Sequence, residues 1–129
     1  MRLIPDVEKQ KLETDFLELA QKFAAENQLT LLLKGAPSLV AEASGQIYIN
    51  STGNAGLAKG GTGDVLTGFV AGLLAQGLPP VEAAYSANFI HGLLADELLA
   101  EKDINTFFAS DLLHNIGPVL KKHFEPNGD

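Results

Sequence analysis

The stretch Leu29-Thr30-Leu31-Leu32-Leu33-Lys34 is a short, nearly unbroken apolar run between polar residues 27–28 and Gly35. Such a run predicts a β-strand that is covered on both faces, as strands inside α/β sheets are. Before it, residues 7–26 have helical spacing and predict an amphipathic helix, whose apolar residues are Leu12, Phe16, Leu19, Ala20 and Phe23. A helix that leads directly into a covered strand indicates α/β layering.

The residues after this strand predict a β-hairpin and then a loop. Residues 38–43 and 46–50 flank Ser44-Gly45, a dipeptide suited to a tight turn, and residues 47–49 alternate as in a half-buried strand. Residues 51–63 are rich in glycine and lack apolar periodicity, so we expect a loop there.

Three more helices are predicted toward the C-terminus. The first begins near Val65 and ends at Gln76-Gly77. One side of it carries large apolar residues and the other carries small residues, so we expect it to be buried nearly all round. Pro79-Pro80 opens the second, which runs to about residue 101. The last covers residues 110–124, with a kink at Gly117-Pro118 rather than a break. The core candidates of the last two helices are Ala84, Phe89, Leu94, Leu98, Leu112, Leu113, Ile116, Val119, Leu120 and Phe124.

Composition excludes several classes of protein. The chain has 129 residues, 46% hydrophobic and 19% charged, which suits one folded domain. Its net charge of −7 has the wrong sign for nonspecific nucleic-acid binding. There is no cysteine, which excludes disulfides and thiolate metal sites. Because the sequence has no apolar leader and no stretch of membrane-spanning length, we expect a cytoplasmic protein that does not associate with membranes.

The predicted helices need more sheet than these residues supply. Helices that are apolar on two sides must cover a broad surface, yet one strand alone has the pattern of full burial. The chain therefore has the pattern of part of a larger sheet protein, with further strands in another segment or another copy of the chain. We expect a homo-oligomer.

The strongest chemical signal is Gly60-Gly61-Thr62-Gly63-Asp64, where a loop enters a helix. Glycines let a ligand approach the amides that a first helical turn leaves unpaired, and these amides with the helix dipole favour anionic oxygen. Asp64 stands beside this predicted anion hole, where it could accept a proton from an attacking hydroxyl, so the pattern suggests phosphoryl transfer. The plainer alternative is a glycine-rich turn with Asp64 as a helix cap. Neither a Walker A loop nor Gly-x-Gly-x-x-Gly is present.

Two other polar residues invite a functional interpretation. Lys34 ends the buried strand, and ligands of open α/β sheets bind at the carboxyl ends of strands, so Lys34 could meet a phosphate. A solvated lysine is the alternative. His91 lies on a largely apolar helix and is interpreted as a core histidine whose ring is satisfied by a neighbour. Its spacing to Asp96 and Glu97 does not make a metal site.

Taken together, several motifs resemble the C-terminal half of the NAD(P)H-hydrate dehydratases, which are relatives of the ribokinase-like kinases. The matching segments are Leu33-Lys34-Gly35-Ala36-Pro37-Ser38, Asn50-Ser51-Thr52-Gly53-Asn54, Gly60-Gly61-Thr62-Gly63-Asp64-Val65-Leu66-Thr67-Gly68, Ala75-Gln76-Gly77-Leu78 and His91-Gly92. The resemblance implies that residues 1–129 are the C-terminal part of a single three-layer α/β/α domain. It also implies nicotinamide nucleotide repair, in which hydrated NADH or NADPH is dehydrated at the expense of ADP or ATP.

The resemblance also implies residue roles. Asp64 would be the catalytic and substrate-binding residue that deprotonates the hydroxyl of the hydrate. The anion hole would be formed by the amides of Gly61, Thr62 and Gly63. The adenine nucleotide would be held by Lys34, Gly35, Ala36, Pro37, Ser38 and Gly63. Mg²⁺ would shield the phosphates, but the sequence identifies no protein ligand for it.

The sequence departs from the family pattern at a few places. Ser38 replaces the usual threonine and keeps its hydroxyl, and Lys59 replaces a small or hydroxyl residue. No Thr-Pro-His-Pro-Gly-Glu segment is present, although that segment helps form the family's substrate pocket. We therefore expect little dehydratase activity from these residues alone. Two alternatives stay open: a ribokinase-like kinase acting on a vitamin precursor, and a non-catalytic nucleotide-binding or assembly domain.

Overall fold

The computed structural model describes residues 12–125, and within that range the chain forms four α-helices and a three-stranded antiparallel sheet. In chain order the elements are α1 (Leu12–Asn27), β1 (Leu31–Leu33), β2 (Leu39–Ala41), β3 (Ile47–Ile49), a 3₁₀ turn (Ala55–Ala58), α2 (Thr62–Ala75), α3 (Pro80–Leu98) and α4 (Ala109–Phe124). This mixture confirms the predicted α/β class. Residues 7–11 of the first predicted helix lie outside the described residues. None of the described helices is long and apolar enough to cross a membrane.

The buried strand is β2 rather than β1. Within the described residues β1 pairs with β2 alone, and it is half-buried throughout, whereas all three residues of β2 are buried. The prediction that the leucine run is covered on both faces was therefore wrong, because β1 is an edge strand of this sheet. Helix α1 covers the sheet through Ala20 and Ala24, which cluster with Leu39 and Ala41.

The predicted hairpin is confirmed. Strand β3 pairs antiparallel with β2, with Leu39 opposite Ile49. Between them the Glu42 amide donates to the Gln46 carbonyl at 2.9 Å, and Gly45 has φ +93°. A side chain would be strained at that φ, so glycine suits the turn.

Helix α2 ends where the sequence predicts. Gly77 has φ +92°, its amide donates to Leu74, and the Leu78 amide donates to Leu73, which together form a Schellman motif. The expectation that α2 is buried nearly all round was wrong. Only Thr62 and Leu66 are buried, while the side with Gly68, Ala71, Gly72 and Ala75 is exposed.

The main core lies between α3 and α4, and part of α2 packs against it. Its buried members are Leu94, Ala95, Leu98, Phe107, Leu112 and Val119. Helix α4 continues through Pro118, as predicted. Several predicted core residues are instead exposed: Leu19, Phe23, Phe89, Leu113 and Phe124.

The C-terminus of α4 is tied to α3 by an ion pair and a hydrogen bond, both to Glu97. The Glu97 carboxylate lies 2.6 Å from Lys122 Nζ and 2.7 Å from His123 Nε2. Hydrogen bonds from these two side chains hold the pKa of Glu97 below its ordinary value. The basic residues that the sequence assigns to the helix terminus therefore also make a tertiary contact.

Candidate functional site

A cleft of about 620 Å³ lies between the end of β1, the loop after β3 and helix α3. Its wall includes Lys34, Gly35, Ala36, Pro37 and Ser38, the segment that the resemblance assigns to nucleotide binding. The remaining lining comes mostly from residues 50–55 and from Asn88 and His91 of α3. The fold thus brings the predicted segment to one side of a cavity.

Lys34 reaches from this cleft to the N-terminus of α2. A Cβ built on Gly63 would lie 2.9 Å from Lys34 Nζ, so the ammonium group lies close to Gly63. Two predicted nucleotide-binding residues that are 29 positions apart in sequence are therefore neighbours. Together they place a positive charge beside the positive end of a helix dipole, an arrangement that favours a phosphate.

The amides of the predicted anion hole differ in their availability. Gly61 is the N-cap of α2, with φ +86°. The Thr62 amide donates to the Lys59 carbonyl at 3.4 Å, whereas within residues 12–125 no backbone acceptor pairs with the amides of Gly61 and Gly63. Two of the three predicted donors are thus free of backbone partners in the described part of the chain.

The Thr62 side chain is structural. It is fully buried, and its hydroxyl oxygen lies 2.6 Å from the Leu57 carbonyl and 2.9 Å from the Lys59 carbonyl. One hydroxyl proton shared between these two carbonyls closes the 3₁₀ turn against the start of α2. Thr62 therefore fixes the loop from which the Gly61 and Gly63 amides project.

Asp64 lies in the first turn of α2, is exposed, and is not part of the wall of the cleft. Its neighbour Gly63 contacts Lys34, so the carboxylate is one residue from the phosphate-favouring position. The structure does not place Asp64 and residues 34–38 in one cavity. Of that segment, Lys34 comes near Gly63, the residue before Asp64 at the start of α2.

His91 is buried, with 3% of its surface exposed, and its Nε2 lies 2.9 Å from the Thr62 carbonyl. The prediction of a core histidine satisfied by a neighbour is confirmed. Burial is the main cause that lowers the pKa of His91; the charge of Lys34 acts in the same direction, and the bond to Thr62 opposes both. His91 is thus kept neutral beside the site.

Sequence reasoning missed Asn88, which joins two walls of the cleft. Ser38 Oγ donates to Asn88 Oδ1 at 2.9 Å, and Asn50 Nδ2 donates to the Asn88 backbone carbonyl at 3.1 Å. Asn88 is buried, so these bonds satisfy groups that would otherwise be costly to bury. The 34–38 segment and the 50–54 loop are therefore both held by one residue of α3.

Asp96 was also missed as a positioning group. Its carboxylate accepts from the Gly53 amide at 2.9 Å and from Asn54 Nδ2 at 3.0 Å. Between these anchors Thr52 lies directly on Gly92, where a Cβ would come within 2.6 Å of the Thr52 carbonyl carbon. Asn88, Gly92 and Asp96 are spaced by four residues and so share one face of α3, a signal that could have been recognised in the sequence.

The described residues offer no protein cage for a metal ion. Within residues 12–125 no group of three or more His, Asp or Glu side chains could hold one. Mg²⁺ in nucleotide enzymes is commonly held by phosphates, waters and one or two carboxylates. A Mg²⁺ ion held in that way would need few protein ligands from these residues.

Comparison with known proteins gives consistent matches. The family model described as NAD(P)H-hydrate dehydratase matches residues 1–118. The bifunctional NAD(P)H-hydrate repair enzyme Nnr of Moorella thermoacetica is 47% identical over 111 residues, which cover 86% of this chain and 21% of that protein.

Solved structures match over similar lengths. The ADP/ATP-dependent NAD(P)H-hydrate dehydratase of Bacillus subtilis, co-crystallised with ATP/Mg²⁺ and soaked with CoA, superposes with a TM-score of 0.80 at 35% identity. The match covers 88% of this chain and 42% of that one. A ribokinase-like superfamily protein of Enterococcus faecalis gives a TM-score of 0.72 at 32% identity, covering 82% of this chain and 36% of that protein. The fold of the described residues is thus part of a ribokinase-like fold, and the chain spans less than half the length of these relatives.

Proposed function

Since this chain belongs to the NAD(P)H-hydrate dehydratase family, we propose that it carries the nucleotide- and phosphate-binding part of an ADP- or ATP-dependent NAD(P)H-hydrate dehydratase. The observation that supports this most directly is the contact between Lys34 and Gly63 at the end of a 620 Å³ cleft. It places a lysine charge and a free helix-terminal amide at one point, as recognition of a terminal phosphate requires.

The reaction would proceed in two steps. The hydroxyl of the hydrated nicotinamide attacks the terminal phosphorus of the nucleotide, and the bond from that phosphorus to the bridging oxygen breaks, leaving AMP from ADP or ADP from ATP. The new phosphate ester then leaves as inorganic phosphate while the ring loses a neighbouring proton. The dihydropyridine double bond is restored, and one water has in effect been removed.

The position of Asp64 suits the first step. In-line transfer places the attacking hydroxyl and the leaving oxygen on opposite sides of the phosphorus. Residues 34–38 line the cleft, whereas Asp64 lies outside its wall. Gly63 directly precedes Asp64 in the sequence and lies beside Lys34 in space. The nucleotide would enter from the cleft and the hydrate from the Asp64 side, where the carboxylate accepts the hydroxyl proton.

The anion hole would act on the charge of the transferred phosphoryl group. The amides of Gly61 and Gly63, at the start of α2, have no backbone partners in the described chain, so no backbone hydrogen bond must break for them to bind oxygen. The Thr62 amide, already paired with Lys59, would contribute less. Mg²⁺ bound to the phosphates would neutralise part of their charge.

Binding and turnover are separable in this chain. It spans 42% of the length of the Bacillus subtilis enzyme, so we expect nucleotide binding from the residues described and little dehydration without the rest of the fold. We further expect a cytoplasmic homo-oligomer; light scattering of the purified chain tests the oligomeric state.

Isothermal titration calorimetry of the chain with ADP, ATP and AMP tests the binding function. Asp64→Asn, which keeps shape and removes the base, should bind ADP as the wild type does. Absence of ADP and ATP binding in the wild type would refute the nucleotide site and favour an assembly domain.

Product analysis with the hydrate tests the reaction in a protein that joins these residues to the rest of the fold, since we expect little dehydration from these residues alone. Free phosphate released together with NADH, lost in Asp64→Asn, supports the dehydratase. A stable phosphorylated product would instead identify the ribokinase-like kinase alternative.

A further inference from the structure

The peptide group between Thr62 and Gly63 is held at its carbonyl by a side chain of α3. Its carbonyl lies 2.9 Å from His91 Nε2, and its amide belongs to Gly63, the residue beside Lys34. A backbone carbonyl can only accept, so His91 Nε2 must carry the proton and donate it. In the neutral ring Nδ1 is then without a proton.

This bond sets the direction of the Gly63 amide. The peptide group is planar and trans, so its N–H points away from its C=O, and any group that fixes the carbonyl also fixes the amide. A hydrogen bond on the carbonyl also polarises the peptide and strengthens its N–H as a donor. His91 thus acts on the Gly63 amide from the opposite end of one rigid unit.

The ring itself is well held. His91 is 3% exposed, and it meets Phe69 edge-on with ring centroids 6.2 Å apart. Gly60 and Gly61 precede α2 and Gly63 lies in its first turn, and none of the three has a side chain to limit its backbone conformation. His91 therefore adds, at the Thr62 carbonyl, a support from α3 to the constraint that the helix itself places on this peptide.

We propose that His91 is a positioning residue of the anion hole, which orients and polarises the Thr62–Gly63 peptide so that the Gly63 amide faces the transferred phosphoryl group. The identity of the anion rests on the proposed function. The hydrogen bond and its effect on the amide rest on the geometry alone. The positioning role of His91 and the identity of the anion can therefore fail separately.

Two substitutions isolate the donor. His91→Gln places an amide N–H near the position of Nε2, and His91→Met has a similar unbranched shape without a donor. Both residues favour helices, so α3 should tolerate them about equally. The difference between these variants reports the hydrogen bond, because both have lost the ring.

The first measurement needs no nucleotide. Long-range ¹H–¹⁵N spectra of the wild type should show the Nε2–H tautomer of His91. The Gly63 amide signal should stay close to the wild-type position in His91→Gln and move in His91→Met, with faster hydrogen exchange of the loop. An Nδ1–H tautomer, or identical Gly63 signals in the two variants, would overturn the proposal.

The second measurement uses ADP and AMP, which lacks the transferred phosphoryl group. Loss of one directed hydrogen bond predicts about tenfold weaker ADP binding in His91→Met than in His91→Gln. AMP binding should differ between them by less than about twofold. Equal ADP affinities would overturn the role of His91 in the anion hole. If the wild type binds no ADP while the spectra behave as expected, the proposed function fails and the positioning of the peptide stands.

Discussion

Replacing Gly92 by alanine should destabilise the protein although it lies inside a helix. A Cβ at this position would come within 2.6 Å of the Thr52 carbonyl carbon and 2.7 Å of its oxygen. Both atoms belong to the backbone, so the 50–54 loop must move away from α3. Alanine favours the helix by about 1 kcal/mol over glycine, but overpacking of this kind costs about 1–3 kcal/mol.

The displacement would also weaken hydrogen bonds along the loop. Thr52 Oγ1 donates to the Phe89 carbonyl at 2.8 Å, and the neighbouring Gly53 amide donates to Asp96. Each such bond contributes about 0.5–1.5 kcal/mol net. Together these effects predict a loss of about 1–3 kcal/mol in the free energy of unfolding for Gly92→Ala.

Gly72→Ala is the matched control. Gly72 is also helical, and apart from its chain neighbours and the nearby backbone of α2 itself, no described heavy atom lies within 4 Å of a Cβ built there. Because the new methyl group meets no obstacle, the higher helix propensity of alanine should raise the free energy of unfolding of Gly72→Ala by about 0.5–1 kcal/mol.

Urea unfolding of the three proteins at one temperature measures the difference. The two variants should fall on opposite sides of the wild type, and Gly92→Ala should also bind ADP more weakly because the displaced loop lines the cleft. If Gly92→Ala proves as stable as Gly72→Ala, the close packing of Thr52 on α3 is wrong.

Three further predictions concern single side chains. Lys34→Gln should weaken ADP binding about tenfold or more and AMP binding less, because the ammonium lies at the end of the site nearest Gly63; calorimetry that finds equal losses would contradict this placement. Thr62→Val should lower the free energy of unfolding by about 1–3 kcal/mol, since it removes the hydroxyl donor from the Leu57 carbonyl and leaves the Lys59 carbonyl with the Thr62 amide alone, whereas Thr62→Ser should lose less; equal losses in chemical unfolding would count against the hydroxyl bonds. Glu97→Gln should destabilise the protein at neutral pH, because it removes the ion pair with Lys122 and alters the hydrogen bond with His123. The pKa of Glu97 is lowered in the folded state, so this contribution is present above its ordinary value of 4.5 and is lost as the pH falls through the lower folded value. The free energies of unfolding of wild type and variant should therefore converge in acid. A difference in stability that does not change with pH would refute the pairing.

Local chemistry made most element boundaries predictable. Gly77 ends α2 in a left-handed conformation and Pro80 occupies the first turn of α3, positions that these residues favour in any fold. The Ser44-Gly45 turn likewise depends on the backbone freedom of one glycine. Such signals act over a few residues and can be recognised without knowing the tertiary structure.

Burial was harder to predict because it depends on what an element packs against. The leucines of β1 have the composition of a covered strand, yet they are half-buried in an edge strand. Phe89 lies at helical spacing with buried residues and is nevertheless 39% exposed. Periodicity shows which residues share a face, whereas the neighbouring surface decides how wide the buried part of that face is.

The site shows the same division. Lys34 and Gly63 could be named because each belongs to a motif whose chemistry is local, a strand end and a helix start. Asn88 and Asp96 act through hydrogen bonds to residues about 40 positions away. Their four-residue spacing with Gly92 could have identified one face of α3, but the sequence does not show that the 50–54 loop packs on that face.

The loop and the helix match in length as well as in chemistry. Four helical residues advance about 6 Å, and two extended residues span about 6.6–7 Å. A loop with anchors at Asn50, Thr52 and Asn54 can therefore stay in step with Asn88, Gly92 and Asp96 on one face of α3. Glycine in the middle lets the backbones touch, and a hydrogen-bonding side chain at each end fixes the register. His91, next to this face, holds the start of α2, so one helix positions both the wall of the cleft and the amide at its end.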